Sequence, residues 1–193
     1  DIHEFVELYN AGSNAVSLAN WEITGGIDFD FPADTVIAAG AFLVIANDVS
    51  RIRAVYPSLT EVIGPFSGQL GNNDDTVRLR DNAGQVVDAV SYSAEFPWAI
   101  SADALGASDE WTGLNSMDHQ YRGRSLERVS LSASANDPAN WLASPLTGPS
   151  PGGANAVQLT TPRPVVVAFS AVQANDGATI IRSNQPIRID VAF

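Results

Sequence analysis

Glu4-Phe5-Val6-Glu7-Leu8-Tyr9-Asn10 reads as one well-formed strand, and the fold is worked out from it. Side chains alternate between the two faces of a strand. Val6 and Leu8 therefore share one face, and Phe5, Glu7 and Tyr9 share the other. Both faces are mostly apolar, which predicts a strand in the middle of a sheet rather than at its edge. Ala11-Gly12-Ser13-Asn14 supplies a turn, and the chain then runs to a large aromatic, Trp21.

Strand, turn and strand recur at short spacing and helical periodicity is nearly missing, which predicts an all-β sandwich or barrel. After Trp21-Glu22-Ile23-Thr24 and the Gly25-Gly26 turn, Ile27-Asp28-Phe29-Asp30-Phe31 alternates strictly. Ile27, Phe29 and Phe31 face inward and the two aspartates outward. Phe42-Leu43-Val44-Ile45-Ala46 is a continuous apolar run, expected to be a buried strand. Residues 49–56 are the one helix candidate. Asn47 or Asp48 caps it, Ile52 with Val55 and Tyr56 gives it an apolar face, and Pro57 stops it. Residues 76–80 and 86–92 form a hairpin around Asp81-Asn82-Ala83-Gly84, with Gly84 suited to a positive φ.

Residues 99–122 show no period, and loops this long often carry function. Regular structure resumes at 124–129, and Asp137-Pro138-Ala139-Asn140-Trp141 reads as a capped single turn with proline at the first helical position. The expected layout is a sandwich over residues 1–156, a linker over 157–164, and the first strands of a second β-sandwich over 165–193. About 30 residues cannot bury a core alone. Asp1 lies just ahead of the first strand, and Phe193 falls inside the alternation Ile187, Ile189, Val191, Phe193. A segment of a longer polypeptide is therefore expected.

Hydrophobic residues make up 45% of the 193 and charged residues only 17%, which argues for a globular β protein and against disorder. Net charge is -12, and the ten basic residues are all arginine. Without a basic run there is nothing to neutralise phosphates, so neither nucleic acid nor an anionic membrane surface is an expected partner. No apolar run approaches the ~20 residues that span a bilayer. Cysteine is absent, which removes disulfides, thiolate metal sites and a cysteine nucleophile together.

An ordered set of pieces resembles the lamin tail domain family in its bacterial secreted form. The set comprises residues 4–10, Leu18-Ala19-Asn20-Trp21, 31–37, 40–44, 75–81, Gly84-Gln85-Val86-Val87-Asp88, Tyr92, Gly123-Arg124-Ser125-Leu126-Glu127, Pro138-Ala139-Asn140-Trp141 and Ser150-Pro151-Gly152. The resemblance runs from about residue 4 to 155. It implies an immunoglobulin-like antiparallel β-sandwich with no catalytic residues of its own, in an extracellular or cell-surface bacterial protein. Family members usually begin with one more strand ahead of Glu4, and lacking it would expose an edge. The loop at 99–122 is longer than its family counterpart.

Each candidate site has a structural alternative. Glu7 and Asp88 sit on largely apolar strand faces, where two acids with raised pKa values would make an acid/base pair. The simpler reading is buried structural carboxylates held by Arg78, Arg80 or Arg128, or by backbone and Trp N–H donors. Asp103, Asp109, Glu110 and Asp118 offer the hard oxygen ligands that Ca²⁺ uses on irregular backbone, though their spacing fits no known loop motif. Otherwise no cofactor is expected. Trp111, Met117, His119 and Tyr121 form an interaction loop, or else pin that loop to its own sandwich. Neither a Gly-x-Ser-x-Gly elbow nor a Walker-type phosphate loop occurs.

The reading of the whole is a non-enzymatic structural or protein-interaction module. It would contact protein partners or neighbouring modules of its own chain. The alternatives are an accessory domain of a secreted enzyme (a spore-coat-kinase-like protein or a hydrolase) or a carbohydrate-binding module using Trp111 and Tyr121.

Overall fold

The computed structural model describes residues 3–95, 97–99, 124–145, 147–159, 168–173 and 187–192, the last two stretches as backbone. In chain order the strands are β1 (Phe5–Tyr9), β2 (Val16–Ser17), β3 (Glu22–Gly25), β4 (Ile27–Asp30), β5 (Val36–Ile37) and β6 (Phe42–Ala46). After helix α1 (Val49–Val55) come β7 (Val62–Ile63), β8 (Ser67–Gly68), β9 (Asp74–Arg80), β10 (Val86–Ser93), β11 (Leu126–Arg128) and β12 (Trp141–Ala143). The last two described strands are β13 (Ala168–Gln173) and β14 (Ile187–Ala192). The chain divides into two compact units, Asp1–Pro162 and Arg163–Phe193. In the second, β13 and β14 pair as an antiparallel ribbon.

Within the first unit, β1-β6-β7 form one sheet and β10-β9-β3-β4-β8 another. The architecture is all-β with one short helix, consistent with an immunoglobulin-like sandwich. Among the described residues the pairings are antiparallel except β6 with β7, which run parallel. β6 is the buried strand its composition predicts. Leu43 and Ile45 enter the core with Leu18, Ile23, Ile27, Phe31, Ile37 and Phe66. Val44 and Ala46 enter a second cluster with Ile52, Leu59 and Val62. The helix exists to cover that second face. Asp48 caps it by accepting a hydrogen bond from Arg51 N–H (3.1 Å). Ile52 is buried and Tyr56 packs beside it, whereas Val55 is exposed and belongs to no apolar face.

Among the described residues the backbone ladder of β1 is with β6 alone. Its faces are covered as the alternation predicts, with Val6 and Leu8 on the main core and Phe5 on the helix cluster. Apolar faces report layers above and below a strand. They carry no information about neighbours along the sheet.

Two buried asparagines fix the loops. Asn10 Nδ2 donates to Asn14 O (2.8 Å), Ile37 O (2.9 Å) and Ala38 O (3.1 Å), while Asn10 Oδ1 accepts from Gly12 N–H. Asn140 closes the single turn (Pro138–Asn140) capped by Asp137. Its Oδ1 accepts from Ser130 N–H (2.7 Å), and its Nδ2 donates to the carbonyls of Ser130, Ala133 and Ser134. The hairpin turn is also as expected: Asp81 Oδ1 accepts from Ala83 and Gln85 N–H, and Gly84 takes φ 76°.

The division of β6 between two clusters gives a direct test. Ile45→Ala should destabilise the protein by about 2–5 kcal/mol, because a fully buried side chain leaves a cavity that its neighbours cannot fill. Val55→Ala, on the exposed side of the helix, should stay within about 0.5 kcal/mol. Urea unfolding followed by tryptophan fluorescence measures both.

Candidate functional site

Glu7 projects from the face of β1 that also carries Phe5 and Tyr9, and Tyr9 stacks on Phe42 with ring centroids 4.5 Å apart. The chain around residues 148–152 passes over this face, where Gly152 N–H donates to Glu7 Oε2 (2.5 Å). Gly152 has φ 83°, and a Cβ there would press on Leu59 Cδ1, so this crossing calls for glycine. Glu127, on β11, is 4% exposed. Its carboxylate accepts from Ser125 Oγ (3.3 Å) on Oε1, while Oε2 has no hydrogen-bond partner.

The electrostatics follow from this placement. Burial pushes the Glu7 carboxyl up to about 7; the Gly152 N–H pulls it down and the neighbouring Glu127 charge raises it further. Burial also raises Glu127, against the pull of Ser125, the Val157 and Ala156 N–H groups and the Arg124 guanidinium. Both acids line a cleft of about 1400 Å³ whose walls include Leu8, Leu79, Val90 and Trp141.

Asp88 does not join Glu7. Its side chain is 55% exposed, which corrects the expectation of a second buried acid. The β9–β10 ladder is irregular between Val86 and Asp88, so Val86 falls out of register, while Asp88 keeps its alternation with Val90 and Tyr92. Asp88 instead pairs with Arg128 Nη1 (2.9 Å), whose Nη2 donates to Ala133 O. The acid that faces Glu7 is Glu127.

Asp103, Asp109, Glu110 and Asp118, and with them Trp111, Met117, His119 and Tyr121, lie outside the described residues. Among the described residues no group of three or more His, Asp or Glu side chains is placed to hold a metal ion. Asn10, Asn140, Glu127 and Gly152 are the residues that sequence reasoning missed as structural centres. The available signal was slight: polar residues standing at strand ends between apolar neighbours, and a glycine inside a Ser-Pro-Gly-Gly exit.

A carboxyl titrating near neutrality can take up or release a proton, but here its partners are a backbone amide and a second carboxyl. The chemistry on view is therefore linkage to stability. The folded-state pKa of Glu7 lies above its ordinary value of 4.5. The folded protein binds the proton more tightly, so the stabilisation is fully present below pH 4.5 and lost as pH rises through about 7. The melting temperature should fall between pH 5 and pH 8. Glu7→Gln should remove a part of that slope worth about 1–2 kcal/mol, after allowing for solvent screening of a partly exposed group. Parallel calorimetric scans of both proteins measure the difference, and identical slopes would show that Glu7 does not titrate in this range.

The comparison with protein families places a match to the Lamin Tail Domain on residues 1–94. No curated protein matches the chain. The match covers both main sheets, from β1 through β10, and stops before β11 and the residues that carry Glu127 and Gly152. Lamin tail domains are non-catalytic structural modules. Residues 1–94 of this chain are therefore similar to a lamin tail domain.

Proposed function

We propose that the chain is a non-enzymatic interaction module of a larger bacterial polypeptide that works outside the cell or at its surface. The match of residues 1–94 to a family of structural modules carries this reading. The fate of the polar side chains supports it. Asn10 and Asn140 are spent on loop carbonyls, Arg128 on Asp88 and Ala133, and Glu7 on Gly152. A net charge of -12 without lysine suits contacts with protein surfaces better than with nucleic acid. The ribbon of β13 and β14 reads as the opening of a second β-sandwich, as expected of modules strung along one chain.

Chemical cross-linking of the producing cells, followed by mass spectrometry, tests the reading. Cross-links from this chain to exported or envelope proteins are expected. Cross-links confined to cytoplasmic proteins would overturn the placement. In parallel, the purified chain should turn over none of a panel of ester, phosphate and glycoside substrates above the buffer rate. Any saturable turnover abolished by Glu7→Gln would overturn the non-enzymatic reading.

A further inference from the structure

Residues 148–157 carry no ionisable side chain and join no strand ladder, yet they lie over two carboxyls. Part of their bonding closes on the segment itself. Gly153 N–H donates to Ser150 O (3.1 Å), and Ser150 Oγ donates to Ala154 O (3.2 Å). Among the described residues two hydrogen bonds tie the segment to the strands below. Gly152 N–H donates to Glu7 Oε2 on β1, and Asn155 Nδ2 donates to Arg128 O at the end of β11 (3.0 Å). Gly152 also lies against Leu59. The hold on β1 is thus one carboxyl.

The second carboxyl lies under the same segment. Glu127 is 4% exposed, and the amides of Ala156 and Val157 favour its charge. Its Oε2 has no hydrogen-bond partner, and no ion pair to either acid occurs among the described residues. Few charged or titratable groups surround the pair. From the β11 side the Arg124 guanidinium draws on Glu127. From the end of α1 the Tyr56 hydroxyl approaches Gly148, and burial raises it further above neutrality, so it stays protonated. Tyr9, on the same face of β1, stacks its ring on Phe42. Asp88 on β10 is paired with Arg128. β6 and the covering segment bring no charge.

We propose that residues 148–157 are a proton-controlled flap, closed over Glu7 and Glu127 while the pair holds a proton and lifted from β1 when both carboxyls ionise. Two neighbouring carboxylates taken out of water oppose each other's ionisation. The second charge is relieved when water reaches it, and the proton leaves to solvent. A segment with few ties opens more readily than β1, which is laddered to β6 along its length. Lifting uncovers Glu7 and Leu59. The closed-state carboxyl of Glu7 titrates above its ordinary value, so closure is fully favoured below pH 4.5 and loses favour as pH rises through about 7.

Amide hydrogen exchange of the full chain, read by NMR at pH 5 and pH 8 and normalised to the free-peptide rate, tests the flap. Protection of Gly152 N–H should fall about tenfold or more between the two. In Glu7→Gln it should stay within about twofold, since glutamine still accepts from Gly152 but does not ionise. Low urea should leave Gly152 exchange unchanged while accelerating exchange at Ile45, because a local opening exposes little surface. The Glu7 carboxyl carbon shift in the unaltered chain should titrate over the same range as Gly152 protection, and Glu127→Gln should lower its midpoint. Protection that ignores pH would overturn the proposal, as would an equal fall in Glu7→Gln or urea dependence matching that of Ile45. A Glu7 midpoint at 4.5, or one that Glu127→Gln leaves in place, would also overturn it.

Discussion

The structure depends on the burial of β6 on both faces. A strand in that position offers its backbone no water, so each edge must be met by another strand. β1 meets it antiparallel and β7 parallel. Its alternation then assigns the rest of the fold. Leu43 and Ile45 draw the second sheet over one face, and Val44 and Ala46 require α1 and Leu59 over the other. The short helix is a consequence of that strand. A helix of this length has little stability of its own and persists because Ile52 closes an apolar surface.

The compact unit is larger than the part that matches the family. The match ends at residue 94, whereas the unit runs to Pro162. Among the described residues, polar connections join the later part of the unit to the first 94. Arg128 reaches Asp88, Asn136 caps Ser91, and Gly152 donates to Glu7. The first two end on β10 and the last on β1, so the later residues tie down these two strands. The cost of this closure falls on the acids. Glu7 and Glu127 are brought together in a site that resists charge, and the Glu7 proton equilibrium moves toward neutrality.

Asparagine carries the interior polar work. A buried amide can donate twice and accept, which matches the mixed donors and acceptors of a loop folding back on itself. Asn10 ties the end of β1 to the carbonyls after β5, and Asn140 ties the capped turn to the loop before it. An aspartate would offer acceptors alone to those carbonyls, and an alanine would leave them unbonded.

The sequence by itself determined the elements whose cause is local. Alternation specified Ile27 and Phe31 as core, an unbroken apolar run specified β6, Asp48 and Asp137 announced their caps, and Asp81 with Gly84 announced the hairpin turn. Each of these rests on side-chain periodicity or on bonding within a few residues, which a linear chain displays directly. Only the tertiary structure decided that β1 ladders with β6, because lateral pairing leaves no mark on the pattern of its faces. Only it decided that Asp88 stays exposed and pairs with Arg128, because that partner arrives from a segment far along the chain. The partnership of Glu7 with Glu127 was likewise out of reach, since residues so distant in the chain meet through the packing of whole segments and not through any local rule.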